Sequence, residues 1–126
     1  FDTALGEDEI ITEVRVPKTG QAGWSYLKFR QRALDWATVG VAAVVGASNG
    51  TVSGARIALT NMGQTPLRAS ATEAALQGAP RDAVARAAQS ADEGTDPPSD
   101  TWASADFRRH LARVLTGRAV EEALAR

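Results

Sequence analysis

Two runs of strand-forming residues, 38–47 and 51–61, meet at Ser48-Asn49-Gly50, and this junction restricts the fold more than any other stretch. Asn-Gly suits a two-residue hairpin because both central positions of a type I′ turn take positive φ. The two runs are therefore predicted to be antiparallel neighbours. In the second, Ala55, Ile57 and Leu59 alternate with Gly54, Arg56 and Ala58, which makes one face apolar and the other small or polar. A sheet with one dry face needs a cover, and the second half of the chain is able to supply it.

Ahead of the hairpin, Ile10, Ile11, Val14 and Val16 with a closing Pro17 predict a strand over 9–16, near an edge of the sheet. A second strand is predicted over 24–30, with Trp24, Tyr26, Lys28 and Arg30 on one face and Ser25, Leu27 and Phe29 on the other. The run 38–47 is the most continuously apolar in the chain and reads as a buried strand. Between these last two lies a polar loop carrying Arg30, Arg32, Asp35 and Trp36. A loop ahead of a buried strand is a common place for a binding group. Most tryptophans are packing residues, however, and the residues alone favour a Trp36 folded back onto the core.

In the second half, Ser70 three residues before Glu73 has the spacing of a capping box, predicting a short helix over 70–77 stopped by Gly78. Pro80 suits a first helical turn, and Val84, Ala87, Ala88 and Ala91 repeat at helical spacing up to Gly94. Residues 93–100 form a connector. Residues 104–126 predict an amphipathic helix with Phe107, Leu111, Val114 and Leu115 on its apolar face, Arg108 and Arg109 on its solvated side, and a break at Gly117. Strands first and helices afterwards specify an α+β fold: a three- to four-stranded antiparallel sheet followed by about three helices packed on one face.

Composition removes several classes of function. The 126 residues are most simply one domain, spanning 1–126. Fourteen basic and 15 acidic side chains give a formal charge of -1, unlike the basic surface of a nucleic-acid-binding domain. With no cysteine, thiolate metal sites and cysteine nucleophiles are excluded, and an oxidising compartment is not required. No apolar run is long enough to span a membrane. His110 has no partner at metal-ligand spacing and reads as a surface residue. No serine lies in a G-x-S-x-G context, and there is no G-x-G-x-x-G or Walker pattern. The chain starts at Phe1 without an initiator methionine or a signal pattern, so it is expected to be an excised piece of something longer.

Several segments in order carry a resemblance: EDEIITEVRVP, YLKFRQR, ALDWATVGVAAVV, RIALTNMGQTPLRA, the EAAL helix and SADFRRHLARVLTGRAVEEAL. Together they resemble the C-terminal domain of the FAD-carrying medium subunit of molybdenum hydroxylases, the family of carbon monoxide dehydrogenase, xanthine dehydrogenase and aldehyde oxidoreductases. They are most similar to the carbon monoxide dehydrogenase branch. The resemblance implies a cytoplasmic oxidoreductase in which molybdopterin lies in a large subunit, two iron–sulfur clusters in a small subunit, and FAD in the medium subunit. It implies that the upstream FAD-binding domain, with its glycine-rich segments, lies outside this chain. It also implies that Lys28, Arg32, Asp35 and Trp36 lie beside the flavin ring, with the indole next to it. The domain would then cap the flavin and contact partner subunits, supporting electron transfer from the clusters through FAD to an external acceptor. The alternative is a non-catalytic interface or dimerisation module of a flavin reductase-like protein.

Overall fold

The computed structural model describes residues 4–126. Its sheet has four antiparallel strands in sequential order: β1 (Gly23–Phe29), β2 (Val39–Ser48), β3 (Thr51–Thr60) and the two-residue β4 (Leu67–Arg68). The central hairpin forms as the sequence predicts. Asn49 and Gly50 have φ of 52° and 78°, and the Thr51 hydroxyl donates to the Ser48 carbonyl at 2.9 Å to tighten the turn. One row of the register runs Tyr26, Ala42, Ala58, Arg68 across all four strands.

The two sheet faces separate as the alternation requires. Val39, Val41, Val45, Ile57 and Leu59 are buried on the covered face, together with Ser25 of β1. Trp24 and Tyr26 stand exposed on the open face. The cover consists of α1 (Ser70–Leu76), α2 (Val84–Ala87) and α3 (Ala105–Leu124), with α3 lying across β1 and β2 and α1 against β3. Leu76, Val84, Leu111, Leu115 and Val120 complete the core from the helical side. Ser104 caps α3, its hydroxyl accepting from the Phe107 amide at 3.2 Å.

Five local expectations are corrected. Residues 9–16 form no strand, and Ile10 and Val16 are 83% and 81% exposed. Strand propensity expresses itself only when a neighbouring strand and a packed face are available, and none of the described strands pairs with this segment. The fourth strand is instead β4. The capping box is absent too. Ala69 is the N-cap, and Glu73 accepts the Ile57 amide at 2.6 Å while pairing with Arg68 at 2.7 Å. Because β4 is so short, the Ile57 N–H would otherwise lie at a bare strand edge, and the carboxylate serves as its acceptor.

The segment 80–94 is a single α-helical turn flanked by 3₁₀ turns at Arg81–Ala83 and Ala88–Ser90. There the Ser90 hydroxyl bonds the Ala87 carbonyl at 2.9 Å, a local competitor to the helical ladder. Val84, Ala87, Ala88 and Ala91 are nonetheless all buried. Helix α3 passes through Gly117 without a break. A Cβ there would lie an ordinary 3.5 Å from that of Ala88, so the helix passes this glycine with room for a methyl group. Finally, Arg108 is not on the solvated side. It is 1% exposed and opens the stripe that continues through Leu111, Ala112, Leu115 and Ala119, whereas Phe107 lies half out, edge-on to Phe29 at 5.9 Å.

Candidate functional site

Strands β1 and β2 are joined by residues 30–38, and the Thr38 amide donates to the Phe29 carbonyl at 2.8 Å to close the base of this long hairpin. The loop is folded on itself. The Asp35 carboxylate accepts the Arg32 amide at 2.9 Å while the Asp35 amide donates back to the Arg32 carbonyl at 3.2 Å. The Arg30 guanidinium bonds the Ala33 carbonyl. An aspartate bonding the backbone three residues back is a common way for a short polar side chain to tighten a loop. This turn leaves Trp36 at the far end of the loop, 89% exposed. The core-packing reading of Trp36 is therefore overturned: the core beside the loop is formed by Val39, Val41 and Leu27, and Trp36 is not part of it.

Trp36 forms a ridge between two clefts. On one side, Lys28 and Tyr26 of the open sheet face meet Asp35 and Thr60. On the other is a cleft of about 270 Å³ in which Gln31, Asp35 and Trp36 face Asp100 and Trp102. The structure thus brings together three of the four residues implied by the resemblance, Lys28, Asp35 and Trp36. Arg32 lines neither cleft, although its backbone holds the Asp35 turn.

The second wall was not foreseen. Asp100 and Trp102 fall where the chain reads as connector and helix approach, and Arg108 where it reads as solvated helix. The available signal was the spacing of Arg108 from Leu111 and Ala112, which places it on the apolar stripe. Its guanidinium donates to the Thr38 carbonyl at 2.5 Å and to the Asp100 carboxylate at 2.6 Å. From the end of β3, Asn61 donates to the carbonyls of Ala37 and Thr38 at 3.0 and 3.3 Å. The exit of the Trp36 loop is therefore held from two directions, by helix α3 and by the end of β3.

The amides of Trp102 and Ala103, each 2.9 Å from Asp100 Oδ1, hold the Asp100 carboxyl below the usual carboxylate range, and Arg108 adds to the effect. Since folding lowers this pKa, ionised Asp100 contributes stability above its unfolded value of about 3.9. That contribution is lost as pH falls through the lower folded value. Asp100→Asn, which retains an oxygen to accept both amides, is expected to show a flatter fall in melting temperature below about pH 4. Melting curves of the two proteins across pH 2–6 measure it.

Comparison with known proteins identifies the family of this fold. The family model described as CO dehydrogenase flavoprotein C-terminal domain matches residues 24–123. The carbon monoxide dehydrogenase medium chain of Hydrogenophaga pseudoflava is 39% identical over 129 residues, covering 100% of this chain and 45% of that protein. The caffeine dehydrogenase subunit beta of a Pseudomonas species is 35% identical, over 98% of this chain and 43% of its own length. A solved structure of carbon monoxide dehydrogenase from Hydrogenophaga pseudoflava, lacking the Mo-pyranopterin moiety of its cofactor, superposes with a TM-score of 0.79 at 42% identity, covering 84% of this chain and 38% of that one. The chain thus spans less than half the length of the curated relatives it matches. With the four-stranded sheet, the helical cover and this match across nearly all of it, the chain belongs to the CO dehydrogenase flavoprotein C-terminal domain family.

Proposed function

We propose that this chain is the flavin-capping and subunit-contact domain of a molybdenum hydroxylase medium subunit, and that Lys28, Arg32, Asp35 and Trp36 form its flavin-facing group. The observation that carries the proposal is Trp36: a tryptophan 89% exposed at the end of a loop whose own backbone is internally bonded and whose base is clamped. Such a side chain gains nothing from folding alone and is placed to meet something flat and apolar.

The residues present fit the ring end of FAD and not its phosphates. An indole, a lysine and a carboxylate converge beside two shallow clefts. The sequence holds no glycine-rich phosphate-binding pattern. Bound FAD supplies redox chemistry at its isoalloxazine ring. Trp36 would cover a face of that ring and so limit the access of water and of small oxidants. Lys28 contributes positive charge beside it and Asp35 negative charge, so together they bias which redox state is favoured. Arg32 contributes chiefly by fixing the Asp35 turn. In this reading the domain supports electron transfer from the iron–sulfur clusters of a small subunit through FAD to an external acceptor, with substrate oxidised at molybdopterin in a large subunit.

The contact role has its own support. Trp24 and Tyr26 are exposed on the open face of β1, and Ile10, Ile11, Val14 and Val16 are exposed on the segment before it. Large exposed apolar groups are typical of surfaces that a neighbouring domain or subunit covers. Among the described residues no helix is long and apolar enough to cross a membrane.

The same reading fixes what the chain does with FAD by itself. One stacking residue and a few charges do not offset the cost of immobilising a dinucleotide. Titration of this chain with FAD, followed by flavin fluorescence, is expected to show no tight binding, whereas the complete medium subunit binds it. Submicromolar affinity for this chain alone would place the cofactor site elsewhere.

A further inference from the structure

We infer that Asn61 is a positioning residue for Trp36. The inference rests on the flavin-facing reading for its consequence, but its geometry stands independently. Asn61 follows the last residue of β3 with φ of 60°, a left-handed conformation that asparagine tolerates better than most residues. Its side-chain amide bridges the carbonyls of Ala37 and Thr38, the two residues that follow Trp36.

Thr38 is already tied twice without Asn61. Its amide completes the hairpin base to Phe29, and its carbonyl takes the Arg108 guanidinium. The sheet and core therefore do not depend on the asparagine. Ala37 is different: the Asn61 amide is the donor seen at its carbonyl. Ala37 is bonded directly to Trp36, so this hydrogen bond sets the direction in which the chain leaves the tryptophan. Asn61 also lines the same cleft as Trp36 and Trp102, where water competes for the Ala37 carbonyl once the amide is gone. Removing the amide frees Trp36 and leaves the fold standing.

The test uses the complete medium subunit labelled with 5-fluorotryptophan. The fluorine resonances of the domain's three tryptophans, Trp24, Trp36 and Trp102, are assigned by single phenylalanine substitutions. Asn61→Gly keeps the positive φ and removes both donors. Asn61→Asp keeps the shape and replaces the donor with an acceptor, so that one variant remains informative if the other fails to fold. In a folded variant the Trp36 resonance is expected to shift or broaden while that of Trp24, across the sheet, stays in place. An unmoved Trp36 resonance in a folded variant overturns the inference, as does an equal shift of Trp24, which would mark a general structural role. This readout does not involve the flavin, so it separates failure of the positioning from failure of the site. The flavin signal of the same samples then reports the consequence. If Asn61 acts through Trp36, Asn61→Gly alters it in the native background and adds no further change in a Trp36→Ala background.

Discussion

Arg108→Ala is expected to destabilise the domain by about 3 kcal/mol or more, the largest effect of any single truncation on α3. The side chain is among the bulkiest fully buried ones in the molecule. Truncating a large buried residue forfeits its packing and leaves a cavity, typically at a cost of about 2–5 kcal/mol. The Thr38 carbonyl also loses its buried cationic donor, and leaving a buried acceptor short of a partner costs about 1–3 kcal/mol more, only part of which Asn61 can offset. The ion pair itself supplies little of this, because the Asp100 side chain is 39% exposed and is held by two backbone amides in any case. Buried Arg108 Nε has no hydrogen-bond partner among the described residues, so the native site itself carries a polar cost. Arg108→Met, which refills the volume without a charge, is therefore expected to lose much less, under about 2 kcal/mol. Denaturant unfolding of the two variants checks the order, and equal losses would show that charge rather than volume decides this site.

Gly23→Ala is the second large effect. A Cβ at Gly23 would fall 1.8 Å from the Ala123 carbonyl oxygen and 2.8 Å from its carbon, both backbone atoms of the last turn of α3. No side chain can swing aside to make room. Either β1 or the end of α3 must move, and β1 is an edge strand held on one side only. Overpacking ordinarily costs about 1–3 kcal/mol, and a clash with rigid backbone belongs at or above the top of that range. Gly117→Ala is the matched control, since its Cβ would meet Ala88 at an ordinary 3.5 Å. There the better helix propensity of alanine is expected to raise stability by about 0.5–1 kcal/mol. Thermal melts that ranked the two glycines the other way would contradict the close β1–α3 packing.

What the sequence could show depended on how local each determinant was. The β2–β3 hairpin was legible because Asn49 and Gly50 specify their own backbone, and α3 because its apolar repeat lies within one segment. The strand expected over 9–16 was not realised because β-branched alternation reports an aptitude for pairing and cannot report whether a partner exists. Glu73 has the spacing of a helix cap, but a tertiary demand, the Ile57 amide, takes its carboxylate. The candidate site divides in the same way. The Trp36 loop was visible as a polar interruption between two strands. Its opposite wall, Asp100 and Trp102, lies far along the chain and arrives only when α3 docks on the sheet. Arg108 hid behind its charge, because arginine reads as solvent-facing until its neighbours on the helix stripe are considered.

The central claim, that Trp36 serves a flavin rather than the fold, comes down to a single substitution read in two settings. In this chain Trp36→Ala is expected to change unfolding free energy by less than about 0.5 kcal/mol, as surface substitutions do, since the side chain is 89% exposed. In the complete medium subunit the same change is expected to alter the fluorescence and reduction potential of bound FAD, because an indole over the ring quenches its emission and shields it from solvent. A loss of about 3 kcal/mol in this chain, or a flavin whose emission and potential are the same with and without Trp36, would contradict the account.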